Sequence, residues 1–227
     1  MSQPAFHLAA LDMAGTTVQD HGLVYSTLRS VVEAEVEQTI SDEVFAPWTG
    51  TGKYQAIVGL ITAVTGTAPQ EVVDRAYTAF GEQLSAAYLA TPPVEIPGAT
   101  QALVALREAG VKVVLQTGYS RDIAESILAA VGWRIGGTVI DALVASDEVP
   151  ASRPAPYLIH RAMELSGVWD VKQVLVAGDT PNDLGAGINA GAGYVVGVLS
   201  GAHSADALGR LRHTHLLASV ADLPALL

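Results

Sequence analysis

Cysteine is absent from all 227 residues. That excludes disulfides, cysteine nucleophiles and thiolate-bound zinc, and it suits a reducing, cytoplasmic setting. Long apolar runs are also absent. None approaches the ~20 residues that cross a bilayer, so no membrane partner is expected. The N-terminus lacks a basic region and Asp12 interrupts its short apolar stretch, so a secretory leader is not expected either. Positive charge is scarce. Twelve Lys and Arg stand against 23 Asp and Glu, a net charge of -11. A nucleic acid would be repelled as a partner, and a small anionic substrate would need local cations or a metal. Lysines number only three. Lys112 and Lys172 sit at the approaches to strands, a common solvated position, whereas Lys53 lies in a glycine-rich turn, WTGTGKY, entering a helix.

What is present is apolar: hydrophobic residues make up 50% of the chain, enough for a sizeable core. Phe6–Leu11 reads as a buried strand. From about Tyr25 to Tyr88 the apolar spacing is helical, through Leu28, Val31, Val32, Ile57, Leu60, Ile61, Val73, Phe80 and Leu84. The proline-rich Thr91–Gly98 reads as a linker. After it strands and helices alternate: strands at Val111–Gln116, Ala142–Ala145, Gln173–Ala177 and Tyr194–Val198, helices at Ser120–Val131, Ala155–Ser166 and Asp183–Ala190. Such alternation predicts an α/β fold, a Rossmann-like parallel sheet covered on both faces. The first strand must join that sheet, so residues 20–94 are expected to be an all-helical insertion between core segments 1–19 and 95–227.

Open parallel sheets bind ligands beyond the carboxyl ends of their strands. Four such ends carry chemistry. LDMAGTT places Asp12 after the first strand. Thr117, Gly118 and Tyr119 follow the second, Arg153 follows the third between Ser152 and Pro154, and GDTPND places Asp179 and Asp183 after the fourth. Asp12, Asp179 and the backbone carbonyl of Ala14 make a hard oxygen site suited to Mg2+, with Asp183 one helical turn on to orient its water shell. Thr117 and the backbone after it are placed to hold a phosphoryl oxygen, and Arg153 to neutralise another. An aspartate held in that setting can attack phosphorus, although a strand-end Asp taken alone is as readily a helix cap or turn former.

This constellation resembles the haloacid dehalogenase superfamily of phosphotransferases, with the helical insertion in the place of that superfamily's mobile cap. The usual first motif carries a second Asp two residues after the nucleophile, as the acid for the leaving group; here that position is Ala14. The usual third-motif lysine is Arg153. Together with DMAGTT, TGYSR, RPAP and GDTPND, these departures resemble the phosphonoacetaldehyde hydrolase (phosphonatase) branch, which uses a cap lysine, here matched by Lys53. The resemblance implies an Mg2+-dependent hydrolase of a carbon–phosphorus bond. Asp12 would take the phosphoryl group while Lys53 holds a two-carbon aldehyde as an imine. An enamine leaving group needs no acid, which accounts for Ala14. The branch places a histidine three residues after its lysine; here that residue is Ala56, leaving His21, Tyr54 and Tyr119 as substitutes. The first motif also has Met13 where the branch has tryptophan, which points to a shifted substrate such as a hydroxylated phosphonoacetaldehyde. Relatives pair through their caps, so a homodimer is the protein partner the resemblance implies. Two other functions compete: a phosphomonoesterase of the same superfamily, against which Ala14 argues, and a non-catalytic sensor of a phosphorylated ligand, against which the intact core motifs argue.

Three further signals carry less. Gly185 and Gly187 imitate a dinucleotide fingerprint but fall inside a helix, where small residues allow close packing on the sheet. His213 and His215 would share a strand face without a third metal ligand. Trp48 either lines the pocket or packs among the inserted helices.

Overall fold

The computed structural model describes residues 4–227. Its centre is a parallel sheet of six strands, β1 (Leu8–Leu11), β4 (Lys112–Gln116), β5 (Ala142–Val144), β6 (Val174–Gly178), β7 (Tyr194–Val198) and β8 (His215–Leu217), in the spatial order β5-β4-β1-β6-β7-β8. β1 is central, with Leu11 beside Leu115 on one side and beside Ala177 on the other. All four of its residues are fully buried. Leu8 and Ala10 face one core cluster and Ala9 and Leu11 the other, because successive side chains alternate across a strand. A strand covered on both faces needs apolar residues at every position.

Helices α7 (Tyr157–Ser166) and α8 (Pro181–Ala190) pack on one face. Helices α5 (Ala99–Glu108) and α6 (Arg121–Ala130), with the C-terminal 3-10 turn, contribute to the other cluster. The α8 helix begins two residues earlier than its apolar pattern suggests. Thr180 caps it, accepting from Asp183 N while the Asp183 carboxylate accepts from Thr180 N, and Pro181 occupies the first turn, where a missing N–H costs nothing. Gly187 packs α8 against the sheet: a Cβ there would lie 3.0 Å from Val195 Cγ2 and 3.3 Å from Val176 Cβ.

Between β1 and α5 lie α1 (Leu23–Val36), α2 (Asp42–Phe45), α3 (Lys53–Thr65) and α4 (Gln70–Ala90), and α1, α3 and α4 pack on one another. The stretch from Leu23 to Ala90 contains no strand, as the spacing predicts. Two short strands flank it, β2 (Val18–Gln19) and β3 (Val94–Glu95), paired antiparallel, so the chain leaves the core and returns at one point. Two-residue strands are too short to produce a period, and the sequence pattern misses them. Trp48 lies against α3: a Cβ on Gly59 would overlap its ring, so this side chain packs among the inserted helices. Strand β8 begins at His215, so His213 is not on it; the His213 ring bonds the Leu211 carbonyl instead. Among the described residues no helix is long and apolar enough to cross a membrane.

Candidate active site

Register sets the site. Asp12, Thr117 and Asp179 follow neighbouring strand ends, so the parallel pairing that aligns β4, β1 and β6 also aligns these side chains. After β1 the chain turns tightly, with Thr16, Thr17 and Val18 all donating to the Met13 carbonyl. Gly15 has φ +80, and a Cβ there would lie 2.5 Å from Asp179 Oδ2. Both the left-handed backbone and the close approach require glycine. Thr16 donates to Asp179 Oδ1 at 3.3 Å, and Ala202 N donates to Asp179 Oδ2 at 2.6 Å.

Asp12, Asp179 and Asp183 are all buried and each offers an oxygen within 4.8 Å of the others. Arg153 bridges two of them, 2.7 Å from Asp12 Oδ1 and in contact with Asp183. Asp179 has no ion pair among the described residues. Burial and the neighbouring Asp12 charge push its carboxyl up to about 7, against the pull of the Ala202 N–H. Buried like charges of this kind call for a cation. An all-oxygen donor set fits a hard divalent ion such as Mg2+. Ala14 lines the same cavity as Asp179, a space of about 170 Å³ that also touches Asp20, Tyr25, Ser200 and Gly201.

The loop after β4 meets the helical segment. Thr117 Oγ1 accepts from Tyr119 N at 3.2 Å, leaving its own proton free to donate. The Gly118 carbonyl accepts from Lys53 N at 3.1 Å, and a Cβ on Gly118 would lie 2.3 Å from the Thr51 carbonyl oxygen. Lys53 is buried. Its Nζ donates to Thr51 O at 3.1 Å and stands 5.2 Å from the Tyr119 ring centre and 5.5 Å from that of Tyr25. Burial first, then the Arg153 charge, lowers the Lys53 amine to about 8. Lys112 and Lys172 are exposed, so Lys53 is the one lysine brought to the strand ends.

Of His21, Tyr54 and Tyr119, it is Tyr119 that lies against Lys53. His21 is exposed, and the Tyr54 hydroxyl bonds Asp74 and Gln70 on the helical surface. Tyr119 turns its ring to Lys53 and its hydroxyl to Tyr88 at 2.9 Å. Three residues at the site lie outside the strand-end motifs. Tyr25 accepts from Gly50 N at 3.0 Å; burial and the charges of Asp179 and Asp12 push its pKa up, so it remains a neutral donor. Tyr88 and Asp20 are buried, and the Tyr88 hydroxyl donates to Asp20 Oδ2 at 3.2 Å. An acid just before a helix start marks Asp20 as a cap, but nothing local marks Tyr88.

The haloacid dehalogenase-like hydrolase family matches residues 6–191. The chain belongs to that family. Among curated relatives, the phosphonoacetaldehyde hydrolase of Parabacteroides distasonis is 38% identical over 133 residues, 58% of this chain and 48% of that protein. The phosphonoacetaldehyde hydrolase of Bacillus cereus is 35% identical over 140 residues, 61% of this chain and 51% of its own. The chain thus spans about half the length of the curated relatives it matches. Solved structures share the fold: a hydrolase from Pseudomonas syringae, at TM-score 0.83 and 22% identity, covers 96% of this chain and 95% of its own. A phosphonoacetaldehyde hydrolase-like protein from Oleispira antarctica, at TM-score 0.79 and 22% identity, covers 99% of this chain and 92% of its own. The family assignment and the α/β core expected from the motifs are both borne out.

Proposed function

We propose that this hydrolase cleaves the carbon–phosphorus bond of phosphonoacetaldehyde or a close analogue, such as a hydroxylated phosphonoacetaldehyde. One observation carries the reading: a buried lysine, its amine lowered to about 8, lies against the strand-end loop that follows Thr117. A lysine meant only to attract an anion gains nothing from losing its proton. A lysine meant to attack a carbonyl must lose it.

In this reading the Lys53 amine condenses with the aldehyde and water leaves. An Asp12 oxygen then bonds to phosphorus as the carbon–phosphorus bond breaks, and the electron pair passes into the iminium to give an enamine. Protonation at carbon and hydrolysis return Lys53 and release the two-carbon aldehyde. A second water frees phosphate from Asp12. Thr117, the Gly118–Tyr119 backbone and Arg153 hold the phosphoryl oxygens. Asp12, Asp179 and the Ala14 carbonyl would hold Mg2+, with Asp183 behind them fixing Arg153 and the Thr180 turn. The ion would neutralise charge developing on the transferring group. Residues 20–94 act as the substrate-selecting cap on a core of residues 1–19 and 95–227. Contacts across the seam support that role: Asn182 Nδ2 donates to Pro47 O at 2.9 Å and to Thr49 O at 2.7 Å, and Ser152 N donates to Gln55 Oε1 at 3.2 Å. The missing cysteines fit work in the cytoplasm.

Borohydride trapping with phosphonoacetaldehyde and its hydroxylated analogue tests the reading, with phosphate release followed in parallel. A reduced adduct on Lys53, with metal-dependent phosphate release lost in Lys53→Ala, is the expected result. Phosphate-ester turnover with no adduct from either aldehyde would instead make the protein a phosphomonoesterase.

A further inference from the structure

The turn that delivers Lys53 is anchored to the core at both ends. One anchor is the loop after β4, where Lys53 N donates to the Gly118 carbonyl at 3.1 Å. The other is the first turn of α8, just past Asp179. There Asn182 Nδ2 donates to Pro47 O at 2.9 Å and to Thr49 O at 2.7 Å. Carbonyl oxygens only accept, so the amide nitrogen of Asn182 has to face them. β1, which ends at Asp12, lies between β4 and β6, so a turn anchored beyond both of them crosses the end of β1. Between its anchors the turn is tied internally. Thr49 Oγ1 donates to Ala46 O at 2.8 Å, and Thr51 Oγ1 donates to Trp48 O at 2.7 Å. A Cβ on Gly50 would overlap Thr180 Oγ1, so the turn rests directly on the start of α8. His203 Nε2 adds one contact from the loop after β7, 3.0 Å from Thr49 Oγ1. The Lys53 side chain follows the turn, because Nζ donates to Thr51 O at 3.1 Å.

We propose that Asn182 is a positioning residue that clasps the Thr49–Lys53 turn across the strand ends and so keeps Lys53 in its buried place. Asn182 touches no reacting atom; it acts through the turn. With the clasp cut, the turn keeps its Gly118 anchor but lifts from α8, and water reaches the amine. Burial is the largest influence on that amine. Burial and then Arg153 lower it to about 8, against the opposing charges of Asp12, Asp20 and Asp179. Hydrating it returns it toward the ordinary 10.5. Asn182 lies in the same GDTPND stretch as Asp179 and Asp183, so the segment that carries two of the site's acids also fixes the position of its lysine. This rests on the proposed function only in what Lys53 attacks.

The test uses the full chain and acetaldehyde with cyanoborohydride, so it does not depend on the natural substrate. Labelling of Lys53 is followed against pH by peptide mass spectrometry, with Lys112 and Lys172 as internal standards. Asn182→Asp keeps the side-chain shape but sets a carboxylate against two carbonyl oxygens. An acid in the first turn suits a helix N-terminus, so α8 itself is not weakened. The Lys53 midpoint should rise from about 8 by about one unit or more, while both standards hold. Asn182→Ala should move it in the same direction by less, because the His203 contact remains. An unmoved Lys53 midpoint in Asn182→Asp would overturn the proposal. If that variant does not fold, Asn182→Ala decides: folded protein with an unmoved midpoint overturns it. A lowered melting temperature with the midpoint in place would mark Asn182 as structural only, and a wild-type midpoint near 10.5 would leave the clasp nothing to maintain; either overturns it too. A clasp-dependent midpoint without turnover of either phosphonoaldehyde would defeat the proposed function and leave this inference standing. Turnover through a Lys53 adduct with an unmoved midpoint would do the reverse.

Discussion

In the proposed reaction Lys53 places the carbonyl chemistry on one nitrogen. Its amine is lowered from 10.5 to about 8 by burial and by Arg153, so its neutral fraction grows about fivefold from pH 7 to pH 8 and levels off near pH 9, where an ordinary lysine keeps gaining. Aldehyde labelling of Lys53, followed against pH, should trace that plateau; a rate still climbing at pH 10 would show an unperturbed amine. Ala14 makes the complementary argument. An alkyl phosphate releases an alkoxide and benefits from an acid, worth about 10²–10⁴ in rate; an enamine does not. Ala14→Asp should therefore raise hydrolysis of a simple alkyl phosphate by at least tenfold and leave Lys53 labelling unchanged. No gain in ester turnover would mean that the site lacks more than its acid.

At the scale of elements, two glycines are closely packed, one at the seam and one in the core. A Cβ on Gly118 would lie 2.3 Å from the Thr51 carbonyl, and both partners are backbone at the seam between the β4 loop and the turn before α3. Gly118→Ala should hold that seam apart, lowering kcat/KM at least tenfold and lowering the melting temperature as well, because a backbone carbonyl cannot swing aside. Gly187 lies in α8 against Val195 and Val176. Gly187→Ala should instead overpack the core, costing about 1–3 kcal/mol with KM unchanged, as denaturant unfolding would record. The elements themselves were largely legible in the sequence. Short apolar runs followed by glycine or small-residue turns mark β1, β4, β6 and β7, and strand-end acids mark Asp12 and Asp179. Legibility failed where structure has no local cause. The β2–β3 pair is too short to have a period, whereas the start of α8 is local and is marked by its Thr180 cap and Pro181 rather than by apolar spacing. Tyr88 joins Tyr119 only because α4 folds back over the core, and no residue near it in sequence announces that.

For the whole molecule, the buried acidic site is a cost to folding that a bound cation would remove. The Asp179 carboxyl is raised from 3.8 to about 7 in the fold. Between those values the native state holds a proton that the unfolded chain has released. Stability of the metal-free protein therefore falls as pH rises from about 4 to 7, and the full penalty remains above that. If Mg2+ binds there, it competes with that proton and favours the native arrangement, which would stabilise the fold by mass action. Its effect should be large at pH 8 and small at pH 5, and thermal melts with millimolar Mg2+ or with a chelator would measure both. Asp179→Asn supplies the control: the metal-free variant should lose the pH-dependent decline and the response to Mg2+ together. An equal Mg2+ shift at both pH values would place the ion elsewhere on this chain, whose charge of -11 offers weaker surface sites. A decline that persists in Asp179→Asn would move the buried proton to another group. With both outcomes as predicted, Mg2+ would stabilise the fold through the same carboxylate proposed to hold it for catalysis.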